Sequence, residues 1–211
     1  MDHGDRMDRI YRHQRHVYDA TRVFFLAGRD RLIRAMDLRP GDRVLDVGCG
    51  TGRNLRKIAR RYPGTELFGL DVSKQMLQTA GRKLKGLNVA LACGSAEELD
   101  PVQLFGQPQT FDAIIFSYSL SMIPDWRKAL ETAMTHMNAG GSLHIVDFYD
   151  QGNWPKILRT ILIRWLAQFG VRFDSTAMDF LQSITTQDWT VRIEPLFARY
   201  AFLARLTKSE K

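Results

Sequence analysis

The 211-residue chain alternates between two rhythms, apolar positions three and four residues apart and short continuous apolar runs. The first rhythm marks one face of a helix. The second, when bounded by glycine, marks a strand covered on both faces. Residues 7–25 carry the first helical pattern, with Met7, Ile10, Tyr11, Gln14, Val17, Tyr18, Thr21 and Phe25 on one face and Arg6, Arg9, His13 and His16 on another. After Gly28 the helical pattern resumes over 29–36, until Pro40-Gly41 turns the chain. Strands are predicted at 43–47, 65–70, 88–92, 111–117 and 142–148, and helices at 54–62, 73–84 and 126–137, with a weak helical turn or two in 96–105. Ser73 is placed to cap its helix, and Gly140-Gly141 to stop the helix before it.

This β-α alternation implies right-handed crossovers and a doubly wound, mostly parallel α/β sheet. After residue 148 the alternation breaks. Helices are predicted at 154–169 and 175–184, then two strands, 189–194 and 196–205, around Pro195. An antiparallel pair at the end of a parallel sheet is a common edge. The reading is one domain over 1–211: a helical segment 1–40, a core 43–150, a helical lid 151–187 and a terminal strand pair 188–205.

Composition adds exclusions. With 45% hydrophobic and 25% charged residues the chain is neither disordered nor fibrous. Its longest apolar runs, such as 23–27 and 113–116, fall far short of the ~18 residues a membrane span needs. No apolar stretch in the first twenty residues suggests a secretory signal. Cys49 and Cys93 give neither a disulfide framework nor a metal cluster, so a cytoplasmic protein without a metal is expected. The net charge of +7 is uneven: residues 1–43 carry +3, 44–150 carry 0 and 151–211 carry +4. Basic flanks around a neutral core are either solvated faces or surfaces for nucleic acid or an anionic membrane.

The candidate chemistry lies in Asp46-Val47-Gly48-Cys49-Gly50-Thr51-Gly52, directly after the first strand. Glycines there let the backbone turn tightly and approach a ligand with no Cβ in the way. The dinucleotide fingerprint G-x-G-x-x-G would need glycine where Arg53 stands. The D-x-G-x-G-x-G pattern instead resembles motif I of the class I S-adenosylmethionine-dependent methyltransferases. Asp71, 21 residues after Gly50, matches the acid that takes the ribose hydroxyls in that family. Gly94-Ser95-Ala96-Glu97 resembles its Gly-Asp-Ala segment, with Ser95 where the adenine-binding aspartate usually stands. Met76 matches a position that often packs on adenine, or it is a core methionine. The resemblance spans about residues 43–150 and implies a Rossmann-like class I methyltransferase fold with S-adenosylmethionine as cofactor. The residues it implies for the cofactor are Asp46, Gly48, Cys49, Gly50, Asp71, Val72, Met76, Ser95, Ala96 and Ser117.

For the acceptor, the stretch after the fourth strand, 117–124, lacks the paired prolines of many nucleic-acid amino-methyltransferases, so no nucleic-acid partner is expected. Residues 11–19, with Thr21-Arg22, Phe24-Phe25-Leu26 and Gly28-Arg29-Asp30, resemble the bacterial methyltransferases of betaine-lipid synthesis, as does 116–126. That resemblance implies threefold methylation of the amine of diacylglyceryl-homoserine, a lipid substrate at the inner membrane face, and a partner enzyme that supplies it. Tyr18 and Tyr118 are the catalytic candidates. Tyr11, Trp126, Phe148 and Tyr149 are candidate faces for the methylated cation, and Arg22 or Arg29 for the carboxylate. Other lipid headgroups such as phosphatidylethanolamine, a lipid quinone, RNA, and a regulator that binds the cofactor without turnover are the competing readings. In 154–169, Ile157, Leu158, Ile161, Leu162, Trp165, Leu166 and Phe169 form an apolar stripe beside Lys156, Arg159 and Arg164, with Arg172 nearby. Such a helix suits peripheral attachment to an anionic bilayer, or packs over the sheet as a lid.

Overall fold

The computed structural model describes residues 26–106, 110–168, 170–172, 174, 176–186 and 188–210. The predicted helix over 7–25, with Tyr11, Tyr18, Arg22, Phe24 and Phe25, lies outside them. The strands are β1 (Arg43–Val47), β2 (Glu66–Asp71), β3 (Val89–Cys93), β4 (Phe111–Ser117), β5 (Met137–Phe148), β6 (Trp189–Leu196) and β7 (Ala201–Lys208). They form one sheet in the order β3-β2-β1-β4-β5-β7-β6. β1 through β5 pair in parallel, and β7 is antiparallel to both of its neighbours. β1 lies between β2 and β4, so the winding reverses there and a crevice opens beyond the carboxyl end of β1.

Among the described residues, seven α-helices cover the two faces: α1 (Arg29–Arg34), α2 (Arg53–Arg61), α3 (Lys74–Lys83), α4 (Pro101–Phe105), α5 (Trp126–Thr135), α6 (Lys156–Ala167) and α7 (Thr176–Ser183). Neighbouring strand residues send side chains to opposite faces, which divides the core in two. Leu45, Val47, Ile114, Phe116 and Ile145 pack with Leu130 and Ala133 of α5 and Leu181 of α7. Val44, Ala113, Ile115 and Val146 pack with Leu32 and Ile33 of α1, Leu55 and Ile58 of α2, Ala80 of α3 and Leu166 of α6. Ser73 caps α3 as expected, its hydroxyl accepting the Met76 backbone N–H at 3.3 Å.

Three expectations need correction. The helix read over 126–137 ends at Thr135, and Gly140-Gly141 does not separate it from the next strand. Met137 already pairs with Phe111, residues 138–141 bulge, and pairing resumes at Ser142 opposite Ala113. Gly140 supplies the left-handed φ of +74° that this bulge uses.

Pro195 does not divide the last two strands. It sits inside β6 opposite Phe202, and the turn falls at 197–200. β6 is an edge strand, where a missing N–H removes little from the ladder. Phe197, Ala198 and Arg199 adopt φ of 51°, 53° and 66° in that turn, and a Tyr200 N–H bond to the Phe197 carbonyl closes it.

The apolar stripe of α6 also splits. Leu166 is buried and Leu162 and Trp165 half-buried against the sheet, while Ile157, Leu158 and Ile161 face outward, 76%, 52% and 60% exposed. No helix among the described residues is long and apolar enough to cross a membrane.

Candidate active site

β1 ends at Val47 and the chain turns at once through Gly48, whose φ is +73°. A Cβ on Gly48 would lie 2.5 Å from that of Ser119, so only glycine allows the loops after β1 and β4 to come this close. Ser119 fastens the approach, its hydroxyl donating to the Val47 carbonyl at 2.7 Å. On the other side Gly50 N–H donates to Asp71 Oδ2, and Ser73 N–H to Asp71 Oδ1, both at 2.8 Å. These bonds hold the carboxylate in place at the wall of the cleft. The cleft between these loops is lined by Gly48, Gly50, Asp71 and Val72, by Gly94, Ala96 and Glu97 after β3, and by Tyr118, Ser119, Met122 and Ile123 after β4.

Asp46 lies behind the glycine loop and is fully buried, and neither of its oxygens has a hydrogen-bond partner among the described residues. Burial pushes its pKa up to about 7, the nearby Asn54 side chain and Arg29 charge offset part of this, and the Asp71 charge adds to it.

These features agree with the comparisons. Residues 44–141 match the family described as "Methyltransferase domain". The "Demethylmenaquinone methyltransferase" of Bacillus cytotoxicus is 32% identical over 146 residues, 67% of this chain and 56% of that protein. Residues 44–141 form a class I methyltransferase domain. Its fold is also that of the Haemonchus contortus "Phosphoethanolamine N-methyltransferase 2 in complex with S-adenosyl-L-methionine", with TM-score 0.77 at 16% identity over 99% of this chain and 60% of that one. The plantazolicin methyltransferase BpumL with S-adenosylhomocysteine (SAH) superposes with TM-score 0.69, at 16% identity over 98% and 96% of the two chains. The chain spans little more than half the length of the demethylmenaquinone methyltransferases it matches, 54% and 56% of two of them.

Asp46 ties this domain's stability to pH. Its carboxyl titrates near 7 when folded and near 3.8 when unfolded, so the native state keeps a proton the unfolded chain releases. Stability is therefore lost as pH rises from about 4 through 7, by roughly 4 kcal/mol at full ionisation. Asp46→Asn removes this dependence. In thermal melts the cofactor-free variant is expected to exceed wild type by several degrees at pH 8, with the gap narrowing toward pH 5. Equal pH profiles for the two proteins would contradict the buried, unpartnered carboxylate.

A second cavity of about 510 Å³ adjoins the cleft, with the loop after β4 as the partition. Its lining includes Trp126, Phe148, Tyr149, Asp147, Arg159 and Arg172. Asp147 is buried, accepts the Ser121 N–H at 3.0 Å, and has its pKa pushed up by burial to about 6. Trp126 is fixed by an indole N–H bond to Asp174 at 2.9 Å and an edge contact with Phe180. Phe148 packs edge-on to Tyr118 and Tyr200. Tyr149 carries the Arg199 guanidinium over its ring at 4.4 Å, and Arg199 pairs with Asp150. Neither Arg159 nor Arg172 makes an ion pair or side-chain hydrogen bond among the described residues. This volume suits a small-molecule group.

The residues predicted from sequence fall into three sets. Gly48, Gly50, Asp71, Val72, Ala96 and Tyr118 line the cleft, and Trp126, Phe148 and Tyr149 line the cavity. Asp46, Cys49, Met76 and Ser117 are buried around the cleft without lining it, and Ser95 turns away toward Glu97.

Two assignments change. Tyr118 donates its hydroxyl to the Ala27 carbonyl at 2.5 Å, and burial raises its pKa further, so its ring faces the cleft but its oxygen is no proton acceptor. Arg29 is buried, its Nε donating to the Leu26 carbonyl at 3.2 Å, and it lines neither space. Glu97, Met122, Ile123, Asp147, Arg159 and Arg172 were missed as site residues. Glu97 stood beside the matched Gly-Ser-Ala segment, Met122 and Ile123 within the resembling stretch 116–126, and Arg159 and Arg172 beside the apolar stripe of 154–169, whereas Asp147 carried no signal.

Proposed function

We propose that this domain is an enzyme that transfers methyl groups from S-adenosylmethionine to the amine of a zwitterionic lipid headgroup, with diacylglyceryl-homoserine as the acceptor. The supporting observation is the cavity beside the cofactor cleft, which joins aromatic faces and a buried carboxylate to two arginines that make no side-chain hydrogen bond or close ion pair among the described residues. An amine and an anionic group on one acceptor satisfy both kinds of lining. A neutral quinol ring would bring no charge of its own to Arg159 and Arg172, whose only counter-charges in the lining are Asp147, Asp150, Asp174 and Asp179. The names of relatives that methylate menaquinone precursors keep the lipid quinone as the second reading.

The bound cofactor supplies an electrophilic methyl group on a sulfonium, so the protein's work is positioning and electrostatics. An ammonium acceptor must first lose a proton. Asp147, at the cavity wall and with a pKa near 6, is the group suited to accept it at neutral pH. Trp126 and Phe148 face the growing cation, an interaction of roughly 0.5–2 kcal/mol per ring. Arg159 and Arg172 take the carboxylate, in place of the Arg22 or Arg29 expected from sequence.

A two-chain lipid requires the enzyme to visit the bilayer. The outer edge of α6 suits that contact, because Ile157, Leu158 and Ile161 are exposed beside Lys156 and Arg164, and α6 carries no acidic residue. The occupant proposed for this face is the anionic inner leaflet, reached from the cytoplasm.

Labelled S-adenosylmethionine, offered with total lipid extract and with RNA in separate reactions, tests the acceptor. A labelled trimethylated homoserine lipid, identified by mass, is the expected product. Label in a quinone moves the assignment to the second reading, and label in RNA alone refutes a lipid acceptor. Cofactor binding with no transfer to any fraction refutes the enzyme.

A further inference from the structure

The Gly94-Ser95-Ala96-Glu97 segment departs from its family pattern at Ser95, and the structure offers another group there. The strand order gives the cleft a direction. The glycine loop lies at the end of β1, Asp71 at the end of β2, and residues 94–97 beyond β3, the next strand outward. A nucleoside whose ribose hydroxyls meet Asp71, with its sulfur end over the glycine loop, extends its base toward 94–97.

Ser95 is absent from the cleft lining, and its hydroxyl donates to Oε2 of Glu97, which does line the cleft. The other oxygen, Oε1, accepts the backbone N–H of Asp125 at 3.4 Å. The Glu97 carboxylate is thus tethered at both oxygens from outside the cleft while half-buried at its edge. Each oxygen keeps a lone pair for a donor inside the cleft. Adenine offers one such donor in its exocyclic amine.

We infer that Glu97 is the acceptor for the adenine amino group, and that Ser95 acts through Glu97 as its positioning residue. The hydrogen-bonding capacity of one aspartate is divided here between two side chains: a serine that aims and a glutamate that contacts. Glu97 therefore sets base specificity. An adenine amine donates to the carboxylate, whereas the oxo group of a hypoxanthine base would face it as a second acceptor. A site built to receive a donor rejects an analogue that lacks it more strongly than any apolar pocket does.

The test is calorimetric and requires no methyl transfer. SAH and its inosine counterpart, S-inosylhomocysteine, are titrated into the wild type, Glu97→Gln and Ser95→Ala. Wild type is expected to prefer the adenine ligand by about 30-fold or more, in line with a charge-assisted bond set against an acceptor–acceptor clash. Glu97→Gln supplies an amide that can donate to the oxo group, so its preference should fall at least about tenfold. Ser95→Ala should reduce the preference in the same direction by a smaller factor, with its cofactor-free melting temperature unchanged. That variant also serves if Glu97→Gln fails to fold. An unaltered base preference in Glu97→Gln, or in Ser95→Ala where only that variant folds, would overturn the inference.

Discussion

Asp71→Ala should lower S-adenosylmethionine affinity by at least about a hundredfold, the equivalent of two charge-assisted hydrogen bonds at roughly 1.5–3 kcal/mol each. The size of the effect follows from how the carboxylate is held. Gly50 and Ser73 N–H groups fix both oxygens, so a ligand meets an acceptor pair that needs no reorganisation. The substitution also releases the Gly50 N–H and loosens the loop on which the sulfur end of the cofactor rests. Because Asp71 is at the cleft edge rather than in either core cluster, the fold should survive, with melting temperature changed by only a few degrees. Asp71→Asn, which keeps one acceptor oxygen, should fall between. Calorimetry that finds Asp71→Ala binding like wild type would remove this residue from the ribose contact.

The proposed membrane face gives the second large effect. The structure divides the predicted stripe, so apolar and electrostatic contributions can be tested separately and away from the cavity. Ile157→Ser with Ile161→Ser removes two exposed apolar side chains, each contributing roughly 1.5–3 kcal/mol when buried in the acyl boundary. Partition onto phosphatidylglycerol vesicles is expected to fall at least about tenfold. Lys156→Glu with Arg164→Glu reverses two charges worth about 1 kcal/mol each at an anionic surface. That pair should abolish binding at low salt, whereas wild-type binding should weaken on adding several hundred millimolar salt through screening. Wild type should bind phosphatidylcholine vesicles poorly. Arg159 is spared in both variants because it lines the cavity proposed for the acceptor, so S-adenosylmethionine affinity and access to the cavity are preserved. Co-sedimentation in which both variants pellet like wild type would leave the outer face of α6 without a membrane role. A wild type that sediments as a dimer at the same concentrations would assign that face to a second copy.

The sequence determined the class of the fold and singled out the glycine loop and Asp71, which the structure brings to the wall of one cleft. Local chemistry specifies both. The β-branched run before Gly48, the acid at Asp71 and the Ser73 cap act within a few residues of themselves, and the period-two and period-3.6 patterns state which elements are buried on which faces. It also located the antiparallel ending, though Pro195 misplaced the turn, because whether proline breaks a strand depends on which side of the sheet edge its missing N–H faces. Gly140-Gly141 likewise reads as a stop in sequence and becomes a bulge only because β4 and β7 hold β5 on both sides.

The second cavity, proposed for the acceptor, was decided by tertiary structure alone. Asp147, Arg159 and Arg172 stand 12 and 13 positions apart in the chain, in a strand end, a helix and a loop, and the sequence marks the two arginines only as charges beside an apolar stripe. Their common cavity exists because α6 and α7 fold back over the carboxyl end of β5. The roles of Tyr118 and Arg29 were also decided there. A tyrosine hydroxyl is a base or a latch according to what it meets, and this one meets the carbonyl of Ala27, 91 residues away in the chain. The α6 stripe looked continuous because helical periodicity shows that a face is apolar without showing how much of it the protein covers, and the sheet covers Leu166 while leaving Ile157 and Ile161 outside.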